Sequence, residues 1–229
     1  MSSPLVIFDL DGTLIDTAPD LIDSLNHTIA PVGLAPMTLD DLHHLVGQGA
    51  RVMIKRAFEL RNVPLDEADA DTLFNNFVEH YRHNMPGKSQ PFRGTVECLE
   101  RLAAAGMTLA ICTNKSEALA IPLIETLGLS DHFAAITGGD TFPVRKPDAA
   151  HIFGTIERAG GSRDRAVMIG DSINDILAAK NAGIPSIGVD FGYSDVPIAS
   201  LSPSSVISHF DALTDNLVRD LLVASKVVS

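Results

Sequence analysis

The chain has 229 residues, more than one ordinary domain needs and fewer than two require. Hydrophobic residues make up 45% of it, enough for a sizeable core, and a formal net charge of −12 with a pI near 4.9 argues against nucleic acid or an anionic membrane surface as partner. No run of Lys and Arg offsets that charge, so an acidic small-molecule partner needs a local positive device, a metal ion or a placed lysine.

The opening Met-Ser-Ser-Pro leads straight into an apolar run at 5–8 with no basic leader, which predicts a soluble, cytoplasmic protein. That run is the first of six short, continuously apolar segments bounded by turn residues, the pattern of parallel strands buried on both faces. The others are 109–112, 134–136, 166–169, 186–189 and, more weakly, 206–208. Between the first two, four amphipathic stripes succeed one another without a strand candidate. They are Leu21, Ile22, Leu25 and Ile29; Leu42, Leu45 and Val46 behind a Thr38/Asp41 capping box; Val52, Met53, Ala57 and Leu60; and Ala70, Leu73, Phe74, Phe77 and Tyr81. Pro86, Gly87, Pro91 and Gly94 then mark a linker. Beyond it strands and helices alternate; Val96, Leu99, Leu102 and Ala103 form one stripe ended by Gly106, and an alanine-rich stretch from Ile176 to Ala182 ends at Gly183. The expected fold is α/β, a doubly wound Rossmann-like parallel sheet of residues 1–16 and 85–229, with an all-helical cap domain of residues 17–84 inserted after the first strand.

Chemistry concentrates at strand ends. Asp9-Leu10-Asp11-Gly12-Thr13 comes directly after the first strand, and residues i and i+2 of an extended segment share a face, so Asp9 and Asp11 point together. An Asx turn closing a strand is the plain alternative. Paired carboxylates suit nucleophilic attack and proton transfer, and their repulsion welcomes a hard cation such as Mg2+. Asp171 and Asp175, four apart after the strand at 166–169, reach one pocket if a helix begins by Ser172; otherwise they merely complement a helix dipole. Thr113-Asn114 ends another strand and can hold phosphate oxygens, or simply cap the helix expected at 116–127. Lys146-Pro147 precedes a helix expected at 148–159, with proline suited to its first position. Cys98 and Cys112 fit no metal or redox spacing and read as buried thiols of a reducing compartment. His43 and His44 diverge on a helix, and His80 and His83 share a face without a third ligand.

In order and spacing these four segments resemble the motifs of the haloacid dehalogenase-like phosphohydrolases, over the full chain. Within that superfamily the stretches at 16–21, 46–51, 178–185, 189–193 and 206–210 are similar to those of bacterial phosphoglycolate phosphatases. The resemblance implies hydrolysis of a small phosphomonoester, 2-phosphoglycolate above others, through an aspartyl-phosphate. It implies Asp9 as nucleophile, Asp11 as acid and base, and Thr113, Asn114 and Lys146 as phosphate-binding residues. It further implies Mg2+ on Asp9, the Asp11 carbonyl and Asp171, with Asp175 a ligand or a partner of the ligands. Asp11 argues against the dehalogenases. Sugar phosphomutases share the Asp pair, and a receiver-like or phosphate-binding protein is the alternative from outside the enzymes. In the cap, Gly47-Gln48-Gly49 would reach the leaving group and Arg51 would anchor the glycolate carboxylate, with Lys55 or Arg56 as substitutes. Arg93 receives no assignment. The expected partner is a small substrate only, on a monomer or homodimer.

Overall fold

The computed structural model describes residues 3–44 and 49–225. The chain opens with β1 (Leu5–Phe8), leaves through a short strand β2 (Ile15–Asp16), and forms the helices α1 (Ala18–Ile29), α2 (Ala50–Leu60) and α3 (Glu67–Asn84). It returns through β3 (Gln90–Pro91) into α4 (Thr95–Ala104), β4 (Thr108–Cys112), α5 (Glu117–Thr126), β5 (Ala135–Thr137) and α6 (Ala149–Arg158). Then come β6 (Ala166–Gly170), α7 (Ile173–Ala182), β7 (Ser186–Val189), β8 (Ser205–Ile207) and α8 (Asp215–Ala224).

Six strands form one parallel sheet in the order β5-β4-β1-β6-β7-β8. Strand β1 lies between β4 and β6, with Leu5 opposite Thr108 on one side and Ala166 on the other. Its side chains alternate between two cores, as the pleat requires. Val6 and Phe8 pack with Leu99, Ile111 and Phe210, and Leu5 and Ile7 with Ile152, Met168 and Ala179. The chain winds to one side of β1 and then to the other, so β1 stands at a topological switch point, where ligands bind beyond the strands' carboxyl ends.

The inserted helices have a core of their own, built on Leu25, Ile29, Met53, Phe77 and Tyr81. The face that α2 buries is Met53, Ile54, Ala57 and Phe58; Val52 is only half-buried and Leu60 is exposed, so the stripe predicted there is rotated toward its neighbours. Asp41 accepts from Thr38 N at 2.9 Å, but the element this contact opens is a 3₁₀ turn, Leu39–His44. Leu45, Val46, Gly47 and Gln48 lie outside the described residues, as does any side-chain placement of Leu42, His43 and His44.

Two crossings join the insertion to the sheet. Strand β2 pairs antiparallel with β3, Ile15 opposite Pro91 and Asp16 opposite Gln90. Neither was predicted, since two residues carry no periodicity. Asp20, in the first turn of α1, clasps the returning chain: its carboxylate accepts from Lys88 N at 2.8 Å, Ser89 N at 2.8 Å and Ser89 Oγ at 2.5 Å. Elsewhere the strands at 134–136 and 206–208 are shifted by one residue, to Ala135–Thr137 and Ser205–Ile207. Pro147 lies outside α6, whose N-cap is Asp148, accepting from Ala150 N at 2.8 Å.

Candidate active site

Asp9 extends β1 by one residue, its N–H donating to the Ile169 carbonyl at 2.9 Å. The chain then turns at Gly12, whose φ of +85° favours glycine, and a Cβ there would overlap Asp171 Oδ2. That close approach brings Thr13 round to donate its hydroxyl to Asp171 Oδ1 at 3.0 Å, while Tyr193 N donates to Asp171 Oδ2 at 2.8 Å. Asp175 stands in the first turn of α7. One of its oxygens caps that helix, accepting from Ser172 N at 3.0 Å and Ser172 Oγ at 2.6 Å; the other faces Lys146 Nζ at 2.6 Å. The sequence readings of this residue are a site acid or a complement to the helix dipole; one oxygen serves the helix's first turn and the other faces the site.

Asp9, Asp171 and Asp175 are all buried, and ligand oxygens of the three lie within 4.8 Å of one another. Lys146 is their counterion, with Nζ 2.8 Å from Asp9 Oδ1. The contact lies off the hydrogen-bond direction, so that oxygen has no hydrogen bond among the described residues. Burial, and next the Asp175 carboxylate, push the Asp9 pKa up against the pull of Lys146. Burial followed by Asp175 and Asp9 does the same to Asp171. Burial alone would lower the Lys146 pKa, but Asp175 and Asp9 outweigh it and hold the ammonium charged. Three carboxylates against one ammonium leave an anionic excess that a divalent cation with a preference for hard oxygen ligands would balance, so the residues fit Mg2+.

Lys146 is itself held at its backbone. Its N–H donates to His151 Nδ1 at 3.2 Å and its carbonyl accepts from Asn114 Nδ2 at 3.1 Å. His151 is fully buried; burial first, and the nearby ammonium second, push its pKa down to about 4, so the ring is neutral. The Asn114 side-chain oxygen, Oδ1, is buried without a hydrogen bond among the described residues. Thr113, also buried, accepts from Lys115 N at 3.2 Å.

Above these groups lies a cavity of about 200 Å³ between the sheet's carboxyl edge and the inserted helices. Asp9, Asp11, Thr113, Asn114, Gly49 and Arg51 line it; Lys146, Asp171 and Asp175 do not, and adjoin it through Asp9. Gly49, N-cap of α2 with φ +86°, sits where a Cβ would be 3.5 Å from the Asn114 carbonyl, so the two halves meet at that point. Arg51 is placed on the cavity wall, but its guanidinium bonds Asp71 at 2.6 Å and lies 4.2 Å from the Phe74 ring centroid. Its charge is thus answered within the insertion. Lys55 pairs loosely with Glu59 at 3.9 Å, on the exposed side of α2.

Sequence reasoning missed Lys115. Its ammonium, on a side chain 4% exposed, stands 3.0 and 3.3 Å from the two Asp11 oxygens. Asp11 also accepts from Thr17 Oγ1 at 2.8 Å. Lys115 comes two residues after Thr113 at the same strand end, a signal that was available. Tyr193 was missed as well. Its hydroxyl bonds Asp16 and accepts from Ala18 N at 3.0 Å, tying the start of the insertion to the loop that holds Asp171.

A parallel sheet carrying an acid pair beyond its central strand, two further acids and a lysine converging on it, and helices inserted directly afterwards define a class of enzyme. The family model for haloacid dehalogenase-like hydrolases matches residues 6–189, and the chain belongs to that family as a phosphoric monoester hydrolase. It is 65% identical to the phosphoglycolate phosphatase of Agrobacterium fabrum strain C58, over 96% of this chain and 94% of that one. It is 53% identical to the enzyme of that name from Mesorhizobium japonicum, over 98% and 99%. Among solved structures it resembles a predicted phosphoglycolate phosphatase from Haemophilus somnus 129PT, with a TM-score of 0.86 and 30% identity over 93% and 97% of the two chains. Among the described residues no helix is long and apolar enough to cross a membrane.

Proposed function

We propose that this hydrolase converts 2-phosphoglycolate to glycolate and phosphate in the cytoplasm, with residues 17–84 acting as a cap over the catalytic core. The observation that carries the reading is the buried group of Asp9, Asp171, Asp175 and Lys146 beside a small cavity, in a chain so similar to phosphatases of that substrate.

In this reading Asp9, as carboxylate, attacks phosphorus; the bond to the leaving oxygen breaks and an aspartyl-phosphate forms. Asp11 gives the leaving oxygen a proton, then takes one from the water that hydrolyses the intermediate. Lys146, already against Asp9, offsets the repulsion between nucleophile and phosphoryl oxygens. Thr113 and Asn114 supply a hydroxyl and an amide to those oxygens. Asp9, Asp171 and the Asp11 carbonyl would hold Mg2+, with Asp175 beside them, and the bound ion would supply further positive charge to the transferring group. The inserted helices exclude water from the attack.

The test is phosphate release from 2-phosphoglycolate, sugar phosphates, nucleotides and pyrophosphate, with Mg2+ and with a chelator. The expected result is chelator-sensitive hydrolysis favouring 2-phosphoglycolate, lost in Asp9→Asn. Undiminished activity in that variant would refute the nucleophile, and isomerisation of a sugar phosphate without net phosphate release would replace the reading by a phosphomutase.

A further inference from the structure

Acid–base work at Asp11 asks for a carboxyl group, yet the fold sets a buried ammonium against it. Lys115 Nζ has Asp11 as its anionic partner at 3.0 Å, and it also lies 4.2 Å from the ring centroid of Tyr81, contributed by α3 across the seam. Tyr81 is fully buried, and its hydroxyl, which neighbours the Lys115 ammonium, finds no acceptor among the described residues. An unmet phenol in such a place is costly unless a ligand meets it. Both residues line the cavity that Asp11 enters, whose remaining walls near them are apolar, Leu21, Phe77 and Val78. An ammonium and a phenol on the two sides of the seam make a two-donor receptor for an anion.

The receptor is also at the right distance from the chemistry. A leaving oxygen that takes a proton from Asp11 lies within hydrogen-bond reach of it, and in a glycolyl ester the carboxylate oxygens are only about 3 Å further on. Lys115 Nζ, touching Asp11 from the cavity side, falls in that range. Arg51 also lines the cavity, in an exposed pair with Asp71, but nothing places its guanidinium against Asp11 as Lys115 is placed.

Resting on the reading of the preceding subsection, we propose that Lys115 and Tyr81 bind the carboxylate of the leaving group, and that Lys115 is what separates carboxylated substrates from phosphates of a simple alkyl alcohol. Lys115 Nζ and the Tyr81 hydroxyl both donate to the substrate carboxylate, so the substrate itself bridges core and insertion beside Asp11.

The experiment compares kcat/KM for 2-phosphoglycolate and for ethyl phosphate, which keeps the ester and replaces the carboxylate by a methyl group. The wild type prefers phosphoglycolate, and Lys115→Met lowers that preference by about 30-fold or more, the worth of one charge-assisted hydrogen bond, with KM for phosphoglycolate rising most. A merely structural loss lowers both substrates together and leaves the ratio unchanged. Tyr81→Phe, which removes one oxygen and no charge, lowers the ratio by roughly 5-fold and serves where Lys115→Met does not fold. A ratio unchanged in either variant overturns the receptor while leaving the phosphatase reading intact. So does collapse of the ratio in Arg51→Ala with Lys115→Met unaffected. A wild type that hydrolyses both esters equally overturns the substrate reading and this inference with it.

Discussion

Asp20 offers the sharpest test of how the insertion is held over the site. It is 9% exposed, and its two oxygens accept three hydrogen bonds from Lys88 and Ser89, fastening the first turn of α1 to the returning crossing. Asp20→Asn keeps the shape but removes the charge and turns an NH2 toward donors. Hydrogen bonds to a charged acceptor contribute roughly 1.5–3 kcal/mol each, and a buried donor left unmet costs a further ~1–3 kcal/mol. Allowing for rearrangement of the exposed Lys88, we expect a loss of about 3–5 kcal/mol. For a chain of this length that corresponds to a fall in Tm of roughly 6–20 °C. Scanning calorimetry reads it, and a second, lower transition would appear if the insertion loosens on its own. Asp23→Asn is the control, one turn further along α1 with a side chain 71% exposed, and should shift Tm by less than about 2 °C. The reasoning fails if Asp20→Asn melts within 2 °C of the wild type in a single transition, by that same surface standard of roughly half a kcal/mol.

The site itself leads to three more expected outcomes. Gly12→Ala forces a Cβ onto Asp171 Oδ2 at φ +85°, so activity should fall at least about 100-fold through misplacement of Asp171; phosphate-release kinetics within threefold of wild type would contradict this. His151 has its folded pKa pushed down to about 4, below the unfolded value of 6.5, by burial and then Lys146. Its contribution is therefore complete above pH 6.5 and is lost as pH falls toward 4, by up to about 3 kcal/mol. The stability difference between wild type and His151→Gln, from urea titrations, should shrink between pH 7.5 and 5; an equal difference at both would exclude the assignment. Lys146→Met leaves Asp9 and Asp175 facing each other in a buried site and should cost about 3–5 kcal/mol at pH 8. The cost should be smaller at pH 5.5, because the raised pKa of Asp9 lets that carboxyl protonate and shed its charge, and equal losses at the two pH values would argue against the buried cluster.

What could be read in the sequence was local. Strands buried on both faces give unbroken apolar runs, so the positions of β1, β4, β6 and β7 were visible, while the two-residue strands β2 and β3 were not. The acids of the site were legible because each sits directly beyond a strand, within a few residues of its turn. Partners that depend on how elements pack were hidden. Lys115 and Asp11 are 104 positions apart, Tyr193 and Asp171 are 22 apart, and Arg51 meets Asp71 only because α2 lies on α3. Periodicity fixed that α2 has a buried face but not its rotation, since Met53, Ile54, Ala57 and Phe58 fit a helical stripe as well as the set containing Val52 and Leu60.

The sheet order explains how an acidic chain can build a site for an acidic substrate. Lys115 comes after β4 and Lys146 after β5, both to one side of β1, whereas Asp171 and Asp175 come after β6 on the other. Asp9 and Asp11, from β1, stand between. Each lysine meets one member of the central pair: Lys146 meets Asp9, the proposed nucleophile, and Lys115 meets Asp11, the proposed acid and base. In the proposed reaction the two ends of an anionic substrate find separate cations, while Asp171, with no ammonium against it among the described residues, lies with Asp9 and Asp175 in the group that fits a metal ion. A net charge of −12 does little against two ammonium groups buried within hydrogen-bond distance of Asp9 and Asp11, because solvent screens exposed charges far more than buried ones.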